Sequence, residues 1–95
     1  MNPKTYTYSA AIQAAQSEGG AYLPFPYDVR EEFGKGRVKV HATFDDERYE
    51  GSVVNMGVKN EDGSICYIIG IQKDIRAKIG KQVGDIVRVT IRERE

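Results

Sequence analysis

Apolar residues fall on alternate positions over several stretches of this chain, and that two-residue period marks strands with one buried face. Val38, Val40, Ala42 and Phe44 alternate with Lys39, His41 and Thr43, and near the end Val87, Val89 and Ile91 alternate with Arg88, Thr90 and Arg92. These patterns predict strands over 37–44 and 86–92. A first strand is expected over 5–15, with Tyr6, Tyr8, Ala10, Ile12 and Ala14 on one face, and a short one over 21–23. Pro24 and Pro26 lack a backbone donor and are expected to interrupt any ladder beyond it. Asp45-Asp46-Glu47 reads as an acidic hairpin tip, with a returning strand over 49–56 and Gly51 as a bulge or close-packing point. After a turn at Asn60-Glu61-Asp62-Gly63, the run from Ile65 to Ile71 is apolar on both faces and predicts the most buried strand, with Cys66 inside it.

Two segments switch to helical spacing. Asp28-Val29-Arg30-Glu31-Glu32-Phe33-Gly34-Lys35 recurs as Asp74-Ile75-Arg76-Ala77-Lys78-Ile79-Gly80-Lys81, and each copy is followed by an alternating strand. Val29 and Phe33, like Ile75 and Ile79, stand one helical turn apart, and a glycine follows where a helix would stop. Helices are expected over 26–33, with Pro26 at the first helical position and Asp28 in the first turn, and over 73–79. Such short helices need a sheet to dock on. The repeat therefore predicts two tandem strand-helix-strand units that cover one another's apolar faces, in a self-sufficient monomer.

The residues of the second copy, Gly70-Ile71-Gln72-Lys73-Asp74-Ile75-Arg76-Ala77-Lys78-Ile79-Gly80 followed by Gly84-Asp85, resemble the signature of AbrB-like swapped-hairpin barrels. Gln72 stands where that signature has proline, and the first copy lacks the Gly-Asp turn. Over nearly its whole length the chain is more similar to a small, mostly bacterial family, the domain of unknown function nineteen-oh-five. The matching elements are Leu23, Pro26, Asp28, Val29, Gly36-Arg37-Val38-Lys39-Val40, Gly51-Ser52, Lys73, Arg76, Ile79-Gly80 and Gly84-Asp85. The resemblance implies a mainly β fold, a double-split β-barrel capped by two short helices, and it brings no established activity. Family members sometimes stand beside a bacteriocin-protection-like domain, which is not expected in these 95 residues.

Length and composition narrow the picture further. Ninety-five residues suit one domain spanning 1–95, and 40% hydrophobic content is ordinary for a globular chain. The formal net charge of +0 disfavours DNA as a partner while leaving room for a local basic patch. Lys73, Arg76, Lys78, Lys81, Arg88, Arg92 and Arg94 outnumber the acids from residue 73 onward, and the first six are candidates for a surface that meets an anionic partner. A solvated face of interleaved charges is the competing reading. Arg30 and Arg76 hold equivalent repeat positions and are expected to contact carboxylates, with Asp85 a candidate partner. Tyr22, Phe25 and Tyr27 are candidates for an aromatic ledge, against plain packing of the crossover onto the barrel.

Catalytic chemistry finds little footing. His41 and Cys66 are the sole members of their types, on different strands, and are read as a surface histidine and an inert core thiol. Asp45, Asp46, Glu47 and Glu50 lack the spacing of a calcium loop and are read as a solvated tip. No catalytic residue, metal site or cofactor is expected. One cysteine and the absence of long apolar runs suggest a cytoplasmic protein without a membrane span. The expected function is a non-enzymatic binding or interaction module for a protein or small ligand, with an AbrB-like DNA-binding regulator as the alternative.

Overall fold

Alternation becomes sheet over most of the chain in the computed structural model, which describes residues 2–16 and 19–94. The elements are β1 (Thr5–Ala11), β2 (Gln13–Ala14), β3 (Ala21–Phe25), α1 (Val29–Phe33), β4 (Val38–Phe44), β5 (Glu47–Val54), β6 (Tyr67–Gly70), α2 (Lys73–Ile79) and β7 (Ile86–Glu93). The seven strands form one antiparallel sheet in the order β1-β7-β4-β5-β6-β3-β2, curled into a half-barrel with two short helices. No helix among the described residues is long and apolar enough to cross a membrane.

The expected long first strand is instead two segments hinged at Ile12. Its N–H donates to the Asp85 carbonyl and its own carbonyl accepts from Gly84 N–H, both at 2.9 Å, so the strand leaves the β7 ladder and clasps the turn before it. β1 then pairs with β7 and β2 with β3, so that the two ends of the sheet are consecutive pieces of chain.

Pro24 does not interrupt β3. The Ala21 carbonyl accepts from Ile71 N–H, so strand alternation directs the backbone groups of Ala21, Leu23 and Phe25 toward β6. Tyr22 and Pro24 face the other side, where β2 pairs only with Ala21 and Tyr22. The missing donor of Pro24 therefore falls where no strand asks for it.

The first helix starts later than Pro26. Asp28 is extended (φ −82°, ψ 112°) and is the N-cap, its carboxylate accepting from Arg30 N–H at 2.9 Å and Glu31 N–H at 3.3 Å. The second helix covers the expected residues without a side-chain cap. Gly34 and Gly80 both close their helices at φ 69°, a left-handed geometry that a side chain resists.

β4 and β5 are joined by Asp45 and Asp46 alone, at φ 49° and 73°, the conformation of a two-residue type I′ hairpin. Glu47 already pairs with Phe44, so β5 begins and ends two residues earlier than expected. Gly51 is a close-packing point and not a bulge, since its register with Val40 is continuous. A Cβ there would lie 3.0 Å from Tyr49 Cζ and 3.1 Å from its hydroxyl oxygen. Gly51→Ala is expected to push that ring off Phe44 and to lower stability by about 1–3 kcal/mol, read by chemical denaturation. The β6 ladder starts at Tyr67, because Ile65 bridges Lys59 and Cys66 N–H donates to the Val58 carbonyl.

The core lies inside the curl. Leu23, Val29, Val40, Phe44, Val53, Ile69, Val87, Val89 and Ile91 are wholly buried, and Tyr6, Phe25, Tyr27 and Phe33 form an aromatic cluster beside α1 with ring centroids 5.3–6.1 Å apart. With the alternate positions of β4 and β7 filling this interior, their intervening polar residues have to share the outside.

Candidate functional site

Placing β7 between β1 and β4 joins the polar faces of strands distant in sequence. Outward positions of four strands meet in register: Glu50 of β5 opposes His41 of β4, His41 opposes Arg92 of β7, and Arg92 opposes Thr5 of β1. One step along, Arg48, Thr43, Thr90 and Thr7 line up in the same way. Arg88 and Ser9 extend the face at one end, and Lys39, Ser52 and Arg94 at the other. Among the described residues, five permanent cations, Lys39, Arg48, Arg88, Arg92 and Arg94, thus hold outward positions of one sheet face with one carboxylate, Glu50.

The register sets like charges side by side. Arg94 N–H donates to the Lys39 carbonyl at 2.9 Å, which sets those two cations abreast, with Arg92 two positions along the same face and His41 across from it. Like charges directly opposite on a sheet are destabilising. The carboxylate present is turned to one side: Glu50 Oε1 is 3.6 Å from His41 Nδ1. Among the described residues, no ion pair involves Lys39, Arg48, Arg88 or Arg92.

At the centre of the face is a depression of about 470 Å³ whose polar lining is Thr5, His41, Thr43, Arg48, Glu50, Thr90 and Arg92. Thr43 and Thr90 are a cross-strand pair whose hydroxyls are hydrogen-bonded to each other. Such a pair has two hydroxyl protons and uses one internally, leaving one to donate outward. The depression therefore offers two guanidinium forks, an imidazole and a hydroxyl donor beside the one carboxylate of Glu50, a donor excess suited to an oxyanion.

The six cations singled out from sequence do not share one surface. Arg88 and Arg92 are on this outer face. Lys73, Arg76, Lys78 and Lys81 belong to α2 and its C-terminal end, where several are engaged locally. Lys78 Nζ is 3.6 Å from Glu47, and Lys81 Nζ contacts Asp45 at 2.6 Å and the Ile86 carbonyl at 2.5 Å. Arg76 donates to the carbonyls of Ile71 (3.2 Å) and Gly19 (2.8 Å), not to a carboxylate. Arg30 is exposed beside Gly36, and Asp85 accepts from Gln82 N–H, so the expected arginine-carboxylate pairing is replaced by arginine-carbonyl bonds at one repeat position only. Asp45 is not merely solvated: the Lys81 ammonium, aided by Arg88 N–H at 2.8 Å, holds its carboxyl below the usual range.

Tyr22, Phe25 and Tyr27 do not form a continuous ledge. Phe25 is in the core, Tyr22 projects from the opposite face of β3, and Tyr27 is 44% exposed against Tyr6 and Phe25. Cys66 is buried, and burial pushes its thiol up, away from the reactive thiolate. His41 is on β4, whereas Cys66, expected inside a strand, lies just ahead of β6. No three His, Cys, Asp or Glu side chains among the described residues come together as metal ligands.

A larger groove of about 970 Å³ runs along α1, with Lys35, Arg37 and Lys39 at its rim and Glu93 at its floor. Sequence reasoning missed Glu93, whose place on the inward row of β7 was the available signal. It is 4% exposed and accepts from Lys35 Nζ and Asn2 N–H, both at 2.8 Å. The Lys35 ammonium, helped by the Asn2 amide, holds its carboxyl below the usual range. Glu32 is held low in the same way, first by the Tyr6 hydroxyl and then by Lys4. Because the Glu93 and Glu32 carboxylates are satisfied within the chain, their part of the groove reads as a structural latch. A carboxyl with a lowered folded value adds stability above its ordinary range and loses it as pH falls through that value. Glu93→Gln is expected to cost about 1–2 kcal/mol at neutral pH, with the difference from wild type vanishing in acid. Urea midpoints measured across pH check this.

A family model described as Domain of unknown function (DUF1905) matches residues 8–91. The match spans His41, Thr43, Arg48, Arg88 and Thr90 and ends one residue before Arg92. No curated protein matches the chain.

Proposed function

Since the chain belongs to the family of Domain of unknown function (DUF1905), whose description assigns no activity, we propose a role from its own surface: a non-enzymatic module that binds an anionic partner. The observation that carries this reading is the register that assembles Lys39, Arg48, Arg88, Arg92 and Arg94 on one face with Glu50 as the one acid among the described residues. A net-neutral chain that gathers cations at the cost of cross-strand repulsion has a surface suited to anions. The non-enzymatic reading is supported by the separation of His41 from Cys66 and by the buried, high-pKa thiol. Titration of labelled inorganic polyphosphate is expected to give affinity that falls linearly with the logarithm of salt concentration. Absence of binding at low salt would overturn the reading.

A second reading, duplex DNA, is favoured by the length of the cationic row from Arg88 through Arg92 to Arg94 and Lys39. No aromatic side chain projects outward among these positions, so contact would run through phosphates and not through stacked bases. A mobility shift of duplex DNA at low salt tests it, and no shift there would exclude it.

For the scaffold we infer a double-split barrel of the AbrB-like kind, closed by the β1–β2 strand. Support comes from the clasp at Ile12, from β5 pairing with β6 only through Val53 and Val54, and from the matched left-handed glycines after α1 and α2. On this reading one chain supplies both repeats, and light scattering at micromolar concentration is expected to report a monomer. An obligate intertwined dimer would contradict it. The buried, unpaired Cys66 is compatible with the reducing conditions of a cytoplasm.

A further inference from the structure

We infer that the depression lined by His41, Thr43, Arg48, Thr90 and Arg92 is a binding site for a terminal phosphate, free or as a monoester. This rests on the anion-binding reading of the outer face and narrows it to one group and one place.

The donor set selects the ligand. Strands about 4.8 Å apart and alternate residues about 6.8 Å apart put the Arg48 and Arg92 Cα atoms roughly 12 Å from each other, on opposite sides of β4. Two guanidinium side chains span that gap jointly, and both line the same depression. Between the two arginines in the sheet are the Thr43–Thr90 hydroxyl pair and His41. An anion there meets donors from three directions: one fork from β5, one from β7, and a hydroxyl from the floor. A carboxylate has two oxygens in one plane and is filled by a single fork. A phosphodiester likewise has two non-bridging oxygens. A terminal phosphate has three, one for each direction, and its charge complements the two guanidinium groups of Arg48 and Arg92.

Glu50 fits the same account. Its carboxylate lines the depression too, 3.6 Å from His41 Nδ1, where the imidazole and the two arginines outnumber it as partners for an anion. The volume of about 470 Å³ exceeds a bare phosphate and leaves room for the remainder of a monoester.

The test is a titration at constant ionic strength, followed by amide and imidazole NMR signals, with inorganic phosphate, dimethyl phosphate and acetate as probes. Phosphate is expected to give saturable shifts confined to His41, Thr43, Arg48, Thr90 and Arg92, with dimethyl phosphate and acetate at least several-fold weaker. Arg92→Gln and Thr43→Val are expected to weaken phosphate binding about tenfold and about threefold, and the same spectra report whether each variant is folded. Equal responses to all three probes, or shifts centred on Lys73 and Lys78, would overturn the inference. If phosphate fails while polyphosphate still binds, the terminal-phosphate site is wrong and the broader reading stands. If polyphosphate also fails to bind, both fall.

Discussion

Phe44→Ala is expected to destabilise the protein by about 3–5 kcal/mol, the largest effect of any single substitution considered, and at 95 residues that approaches the whole folding free energy. Phe44 is wholly buried at the last inward position of β4, between Val89 of β7 and Glu47 of β5, and its ring packs on Tyr49 at 5.7 Å. It sits next to the two-residue hairpin, where Asp45 is already in a left-handed conformation held by Arg88 N–H and Lys81. Neighbours anchored in this way collapse poorly into a void, which puts the cost toward the upper end of the range. Phe44→Leu keeps most of the volume and is expected to retain a cooperative transition with a loss of about 1–2 kcal/mol. Chemical denaturation followed by circular dichroism measures both, and wild-type stability for Phe44→Ala would contradict the described core.

The second large effect has the opposite sign for stability and for binding. Of the two reversals Arg48→Glu and Arg92→Glu, the second is expected to raise stability at low salt by about 0.2–1 kcal/mol, because Arg92 stands diagonal to Lys39 and two positions from Arg94 on the same face, whereas Arg48 stands opposite Thr43. In the wild type, Arg92 faces His41; in the variant, a carboxylate does. Salt should therefore stabilise the wild type, by screening repulsion on the outer face, and should do less for the variant. A face whose charges serve only solubility would show no gain on reversal. Thermal melts at several ionic strengths distinguish the cases, provided that chloride and not phosphate sets the ionic strength.

Much of the fold is legible from period alone. The alternation in Arg37–Phe44 and Ile86–Arg92 marks both strands, and the helical pair Ile75 and Ile79 marks α2, whose limits agree with the expectation. What period does not contain is which strand lies beside which. Pro24 looks like an interruption until β2 is known to stop short of it, and Pro26 looks like a helix start until Asp28 takes the cap. The same gap hides the candidate site. Lys39, Arg48 and Arg92 were each readable as outward residues of a strand. Their meeting depends on β7 lying between β1 and β4, a long-range pairing that no local window encodes. Counting charges along the chain instead grouped Arg88 and Arg92 with Lys73 and Lys78, which are neighbours in sequence on a different element. Glu93 escaped notice for a related reason: an acidic residue at the end of a basic strand reads as solvated until Lys35 and Asn2 are seen to enclose it.

The outer face and α2 make competing claims on any anionic partner, and reversing them separately decides between them. Labelled polyphosphate titrated at low salt with wild type, with Arg48→Glu/Arg92→Glu and with Lys73→Glu/Lys78→Glu changes the net charge equally in the two variants. The account predicts that the sheet variant loses at least tenfold in affinity and that the salt slope falls by about two, while the helix variant stays within about threefold of wild type. Equal losses in both variants, or a larger loss in the helix variant, would contradict it.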